Sequence, residues 1–244
     1  VSLSSDGSRV AIGATNNDGG GSDSGHVRIY QYNNNSWSQL GADIDGEAEG
    51  DQSGYSVSLS SDGSRVAIGA TNNDGGGSDS GHVRIFDYTP SGTSSWTQVG
   101  ANINGEAEGD LSGYSVSLSS DGSRVAIGAT SNDGGGSNSG HVRIYDYNGS
   151  AWVQVGADIN GEAASDNSGY SVSLSYDGSR VAVGAYKNDG GGTNSGHVRV
   201  YSLKGETYQY AWNVSSTLPD GDYQVTVAGA DLAGNAYSGT DSIT

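Results

Sequence analysis

One sequence motif occurs four times, and this repetition constrains the fold more than any other feature. The segment VSLSSDGSRVAIGA begins at Val1, Val57 and Val116, and the variant VSLSYDGSRVAVGA begins at Val172. Units of about 57 residues cannot each bury a core alone and are typical of arrays in which neighbours share their cores. Every histidine and arginine falls at one of three repeated positions. We therefore expect structural roles for these side chains first.

Each repeat contains the pattern of four short β-strands. In the second repeat, valine and leucine alternate with serine over 57–60, and an Asp-Gly pair separates this run from 65–69. Two such runs around Asp-Gly predict a tight hairpin. Further strands are predicted over 82–88 and 96–103, and no run has helical spacing of its apolar residues.

The resulting fold class is all-β, with blades built as four-stranded antiparallel meanders. Such sheets need neighbours to cover them, and four strands per repeat favour a β-propeller. A β-solenoid is the alternative, although its coils are shorter and lack a tight hairpin in each repeat.

The order of glycines and strands resembles the FG-GAP repeat of integrin α-chain propellers and bacterial surface proteins. The resemblance rests on Gly54-Tyr55, then Gly69-Ala70-Thr71, then 81–86, and it recurs through residue 203. It implies a propeller whose upper face binds ligands. The family's calcium loop, Asp-x-Asp-x-Asp-Gly, is reduced here to Ser-Asp-Gly-Ser. Its aspartates are therefore predicted to be turn residues: Asp6, Asp62, Asp121 and Asp177.

The last residues depart from the repeat. We predict propeller repeats over 1–203 and a separate segment over 204–244. The run from 218 to 235 is similar to the closing hairpin of a bacterial immunoglobulin-like domain, whereas 208–214 could instead replace a tryptophan strand and complete a blade.

Charge and composition exclude several partners. The formal net charge of −18 would repel a phosphate backbone, so nucleic acid is excluded as a partner. There is no cysteine and no apolar run long enough to span a bilayer. The chain starts in mid-pattern, so we expect it to be part of a longer protein that is secreted or displayed at the cell surface.

Meander topology predicts that the loops after the second strands and the linkers between blades share one face. Carboxylates, amide oxygens and flexible glycines in these loops suit calcium. The candidate calcium residues are Asp18, Asp23, Asp74, Asp79, Asp133, Asn138, Asp189 and Asn194. The linkers add a predicted ligand face made of Glu47, Glu49, Asp51, Glu106, Glu108, Asp110, Glu162 and Asp166. A solvated acidic surface is the alternative.

The remaining side chains predict no catalytic site. The histidines are interpreted as structural, and Trp37, Trp96 and Trp152 as blade core. Because chemistry usually needs a position that differs between repeats, the recurrence of every polar feature predicts that the chain is not an enzyme.

The sequence thus favours a non-enzymatic adhesion module that binds an extracellular protein or glycan through its acidic face, with calcium as the candidate cofactor. One alternative is a self-assembling subunit of an extracellular filament or surface layer, joined through open blade edges. Another is a propeller hydrolase or lyase.

Overall fold

The computed structural model describes residues 1–90 and 95–203, together with the backbone of two strands near the C-terminus. The chain divides into two compact units, Val1–Leu203 and Lys204–Thr244. Throughout the described part of the chain the regular structure is β-strand. Within that part there is also no helix with the length and apolarity that a membrane crossing requires.

The first unit contains four successive antiparallel sheets, one for each repeat. Sheet 1 comprises β1 (Ser2–Leu3), β2 (Arg9–Ala14), β3 (His26–Asn33), β4 (Ser36–Gln39) and β5 (Ile44–Asp45). Sheet 2 comprises β6 (Ser53–Leu59), β7 (Arg65–Ala70), β8 (His82–Thr89), β9 (Ser95–Gln98) and β10 (Ile103–Asn104). Sheet 3 comprises β11 (Ser112–Leu118), β12 (Arg124–Ala129), β13 (His141–Tyr147), β14 (Trp152–Gln154) and β15 (Ile159–Asn160). Sheet 4 comprises β16 (Ser168–Leu174), β17 (Arg180–Ala185) and β18 (His197–Ser202).

The predicted meander of repeated antiparallel sheets is confirmed, and so are its Asp-Gly hairpins. In sheet 2, β6 pairs with β7 so that Val57 lies opposite Ile68, and β7 pairs with β8. The turn carboxylate of Asp62 accepts hydrogen bonds from the Ser64 amide at 2.9 Å and the Ser60 hydroxyl at 2.7 Å. These contacts confirm that the aspartates of the Ser-Asp-Gly-Ser turns hold the turn.

The predicted continuous fourth strand is wrong, because it is broken into two pieces. In sheet 3, β14 pairs with the C-terminal half of β13 and β15 pairs with its N-terminal half. Gly156, at φ 73°, lies between the two pieces. This left-handed conformation suits glycine, and it lets the chain leave the ladder and rejoin it.

The hydrophobic core lies between consecutive sheets. The first core joins Val27 and Ile29 of sheet 1 to Val66 and Ile68 of sheet 2. The second and third cores repeat this arrangement between sheets 2 and 3 and between sheets 3 and 4. Alternation along each strand therefore buries both faces of an inner sheet, which explains how short repeats without cysteines form a core.

Polar contacts also join the repeats. The Ser61 amide donates to the Ser120 carbonyl at 2.8 Å, and Trp96 Nε1 donates to the Leu40 carbonyl at 2.8 Å. Trp96 and Trp152 pack against the cores, as predicted. The core prediction is wrong for Trp37, which is 47% exposed and packs against the ring of Tyr32, with ring centroids 5.2 Å apart.

The second unit contains an antiparallel pair, β19 (Tyr223–Ala230) and β20 (Ala236–Ile243), in which Val225 lies opposite Asp241. One hairpin does not establish an immunoglobulin-like domain, so that prediction has no support in the described residues. The segment 208–214, which was predicted to replace a tryptophan strand, lies outside them.

Candidate functional site

The break in the fourth strand places a polar side chain beside the histidine of the third strand. After Gly156 the chain turns so that Asp158 lies next to β15, whose Asn160 is opposite His141. Gln154 Nε2 donates to Asp158 Oδ1 at 2.7 Å and fixes the carboxylate. The other carboxylate oxygen, Oδ2, is 3.9 Å from His141 Nδ1.

The linker from the preceding sheet brings a glutamate to the same histidine. The Gly105 amide donates to the Gly81 carbonyl at 2.7 Å, which holds the start of the linker against sheet 2. Glu106 follows, with Oε2 at 3.8 Å from His141 Nδ1 and Oε1 at 3.3 Å from Arg143 Nη1. We call Glu106, His141 and Asp158 the sheet 3 cluster.

Burial controls the protonation of this cluster. His141 is 1% exposed, and burial, followed by the charge of Arg143, lowers its pKa to about 4. Its imidazole is therefore neutral at pH 7, and neither of its ring nitrogens has a hydrogen-bond partner among the described residues. Burial also raises the pKa of Glu106; Arg143 opposes this rise and Asp158 adds to it. Two carboxylates thus face an unpaired nitrogen.

Sheet 2 has the equivalent residues with one difference. Glu47 Oε2 lies 3.7 Å from His82 Nδ1, but Asn102 stands where sheet 3 has Asp158. Asn102 Nδ2 donates a 2.8 Å hydrogen bond to Glu47 Oε2. An amide hydrogen thus occupies the carboxylate oxygen that faces the histidine in this sheet 2 cluster of Glu47, His82 and Asn102.

Sheet 1 brings together His26, Asp43 and Asp45, with His26 Nδ1 at 3.5 Å from Asp43 and 3.9 Å from Asp45. Arg28 binds Asp43 through Nε and Nη2 at 2.8 to 3.0 Å. In sheet 4, Glu162 lies 3.5 Å from His197 Nδ1. Among the described residues, the sheet 1 and sheet 3 groups are those in which three side chains could hold a metal ion.

The candidate calcium loops are organised by their own hydrogen bonds. Asp18 Oδ1 accepts from the amide of Asp23 at 2.9 Å, and Asp74 accepts from Asp79 in the same way at 2.9 Å. The pairs Asp133 with Asn138 and Asp189 with Asn194 repeat this contact at 2.7 and 2.6 Å. These are side-chain turns that close each loop, and calcium binding there stays a prediction.

The predicted ligand face contains buried and exposed carboxylates. Three carboxylates are buried, each in a residue that is 3% exposed: Asp51, Asp110 and Asp166. Each accepts hydrogen bonds from the next loop and from its own linker. The glutamates of the linkers are exposed: Glu47, Glu49, Glu106, Glu108 and Glu162. The Gly109 amide donates to the Ser78 carbonyl at 2.9 Å, so linkers and loops lie together. Ligand binding by this face stays a prediction.

Sequence reasoning selected Glu106 for the ligand face, treated His141 as structural, and did not select Asp158. A signal was present, because the repeats read Ala-Asp-Ile-Asp, Ala-Asn-Ile-Asn and Ala-Asp-Ile-Asn at this point. The difference between Asn102 and Asp158 breaks the repeat symmetry at the cluster.

Comparisons with known proteins support a propeller. Residues 160–201 match the sequence profile of the FG-GAP repeat. No curated protein matches the chain by sequence. The chain resembles the periplasmic gluconolactonase PpgL of Pseudomonas aeruginosa with a TM-score of 0.54 and 15% identity, covering 99% of this chain and 64% of that one.

Two further structures are similar at lower scores. A putative 6-phosphogluconolactonase from Bacteroides uniformis gives a TM-score of 0.47 and 10% identity, covering 99% of this chain and 83% of that one. Hydrazine synthase from Kuenenia stuttgartiensis gives 0.45 and 13%, covering 75% of this chain and 40% of that one. The chain therefore spans less than two thirds of the gluconolactonase and of the hydrazine synthase.

The comparison corrects the functional prediction. PpgL, which shares the fold, is named a gluconolactonase and is therefore an enzyme. The prediction that a propeller of this kind is a non-enzymatic adhesion module or filament subunit is therefore wrong. The prediction that the chain is not an enzyme is wrong for the same reason. The repeated antiparallel sheets, the FG-GAP match and the shared fold together identify the chain as a β-propeller repeat protein.

Proposed function

We propose that the chain is a propeller hydrolase that opens a neutral sugar lactone, a cyclic ester, at the sheet 3 cluster. The observation that carries the proposal is the convergence of Glu106 and Asp158 on the neutral imidazole of His141. Paired carboxylates in a partly desolvated site can take a proton from water.

The reaction assigns a role to each carboxylate. Water loses a proton to Glu106, whose raised pKa makes it a better base than an ordinary glutamate, and the oxygen attacks the lactone carbonyl. The ring carbon–oxygen bond then breaks, and the ring oxygen leaves as an alcohol that takes the proton back. Asp158 positions the water, and Arg143 Nη1, 3.3 Å from Glu106 Oε1, keeps the carboxylate oriented.

The substrate class rests on two observations. The solved structure that shares the fold is named a gluconolactonase, which suggests a sugar lactone. The net charge of −18 favours a neutral lactone, because a phosphorylated one would be repelled. That relative is also named periplasmic, and the chain has no cysteine that an oxidising compartment would pair. These observations support export to the periplasm or beyond the cell.

Proton release in a pH-stat tests the proposal, with spontaneous hydrolysis of gluconolactone subtracted. We expect the chain to accelerate the hydrolysis of gluconolactone more than that of 6-phosphogluconolactone. Glu106→Gln should reduce the rate at least about 100-fold, the usual size of a general-base contribution. Glu108→Gln removes an exposed carboxylate of the same linker and should leave the rate unchanged. No acceleration, or equal rates for both variants, would refute the function.

A further inference from the structure

We infer that Glu106, His141 and Asp158 form a binding site for one divalent ion of the zinc–manganese kind, which the sheet 2 cluster cannot bind. The inference rests on the proposed function and deepens it, because it names the cofactor of the same site: Glu106 Oε2 would bind the ion and Oε1 would remain the general base. It rests on the arrangement of three ligand atoms and on the contrast between two repeats, and neither depends on the substrate.

The three candidate ligand atoms of the sheet 3 cluster lie within 4.8 Å of one another. His141 Nδ1 is 3.8 Å from Glu106 Oε2 and 3.9 Å from Asp158 Oδ2, which is too long for a hydrogen bond. Ligands bound to zinc at about 2.0–2.2 Å lie roughly 3.4 Å apart in a tetrahedron. The Glu106 side chain is 44% exposed and is long enough to move inward by the remaining few tenths of an ångström.

The unpaired nitrogen is the independent evidence for a ligand. His141 is 1% exposed, and its Nδ1 atom has no partner among the described residues. A buried polar atom without a partner is costly, so natural proteins usually satisfy it.

In the sheet 2 cluster an amide stands at the position of Asp158, although His82 Nδ1 has no hydrogen-bond partner among the described residues either. There Asn102 Nδ2 donates to Glu47 Oε2, the oxygen equivalent to Glu106 Oε2. A carboxylate has no amide hydrogen, so in sheet 3 the carboxyl groups of Asp158 and Glu106 meet at the place where an amide pairs with a carboxylate in sheet 2. A cation between them would replace repulsion by attraction.

In sheet 1, Arg28 binds Asp43 through two nitrogens and would compete with an ion for that carboxylate, and the His26 nitrogens are not among the unpartnered buried atoms of the described residues. In sheet 3, Arg143 binds Glu106 Oε1 and leaves Oε2 free. The strongest site is therefore the one in sheet 3.

The donor set determines the class of ion. One imidazole nitrogen and two carboxylate oxygens suit zinc or manganese, which accept mixed nitrogen and oxygen ligands. Calcium prefers six to eight oxygen ligands, which this cluster does not supply. The remaining coordination positions would be open to water, as in catalytic zinc sites.

Isothermal titration of the chelator-treated chain with zinc chloride tests the site, using two reciprocal variants. Wild type should bind one zinc ion at this cluster. Asp158→Asn should weaken binding at least about 100-fold, while the new amide supports the fold by bonding Glu106 as Asn102 bonds Glu47. Asn102→Asp should add a second site. Calcium chloride at the same concentration should give no comparable binding.

The outcomes separate the inference from the proposed function. Absence of zinc binding by wild type, or equal binding by Asp158→Asn, would overturn the inference, as would a failure of Asn102→Asp to add a site. Hydrolysis that persists after the ion has been removed by chelation would refute the cofactor role of the metal, while the proposed hydrolase function would stand. Tight zinc binding without hydrolysis of any lactone would refute the hydrolase and leave the metal.

Discussion

Trp152 Nε1 donates a 2.9 Å hydrogen bond to the carbonyl oxygen of Val99, so an indole of sheet 3 is fastened to the repeat before it. Trp96 makes the same contact with Leu40 at 2.8 Å. These bonds lie close to the breaks in the fourth strands and thus hold the segments that carry the polar clusters.

We expect Trp152→Phe to destabilise the chain by about 1 kcal/mol, the usual net contribution of one hydrogen bond. The phenyl ring retains most of the packing, so a larger loss is not expected. Trp37→Phe is the matched control, because Trp37 is 47% exposed and belongs to none of the three cores of the described residues. Urea unfolding measures both changes, and an equal effect at the two positions would contradict a role in joining repeats.

The glycine of the second strand permits close contact between repeats. A Cβ atom on Gly69 would collide with the backbone carbonyl of Gly113, which belongs to sheet 3. We predict that Gly69→Ala lowers the free energy of unfolding by about 1–3 kcal/mol, the range for overpacking.

Gly184 provides the control for this prediction. It occupies the same position in sheet 4, where an added Cβ would meet only the rotatable hydroxyl of Ser171 within the described residues. Gly184→Ala should cost clearly less in the same thermal or urea melts. If the two alanine variants are equally destabilised, the close approach of the repeats is not what requires glycine.

The buried histidine of sheet 2 predicts a pH dependence. Burial, followed by the charge of Arg84, lowers the pKa of His82 from 6.5 to about 4, and Glu47 at 3.7 Å only partly opposes this shift. The unfolded chain therefore binds a proton below about pH 6.5 that the folded chain does not bind until about pH 4. Stability should fall as the pH drops through this range, by at most about 1.4 kcal/mol per pH unit for this group.

Nuclear magnetic resonance of labelled imidazoles checks this directly, with His82→Gln to assign the signal. The His82 resonance should remain that of a neutral ring until the pH approaches 4. Titration of His82 near pH 6.5 in the folded chain would show that the site is solvated.

The first three strands of each repeat could be predicted from the sequence, because their signals are local. Alternating valine and serine define the faces, and Asp62-Gly63 defines the hairpin without reference to other repeats. The break before β10 was missed, since Gly100 is compatible with a strand and only the pairing with β8 shows the detour.

The candidate site was harder to predict because its members come from different parts of two repeats. Glu106 lies in a linker, His141 in a third strand and Asp158 after a strand break, and only sheet packing brings them together. The argument against catalysis assumed that every polar feature recurs. It failed in the segment after the strand break, where Asp158 stands at the position of Asn102.

The central claim is that this one substitution makes the sheet 3 cluster a metal-dependent site. Anomalous diffraction at the zinc edge, from crystals of the chain grown with zinc, tests it most directly. The account predicts a peak between Glu106, His141 and Asp158 and none between Glu47, His82 and Asn102. A sheet 3 cluster without a peak, or peaks of equal height at both clusters, would contradict it.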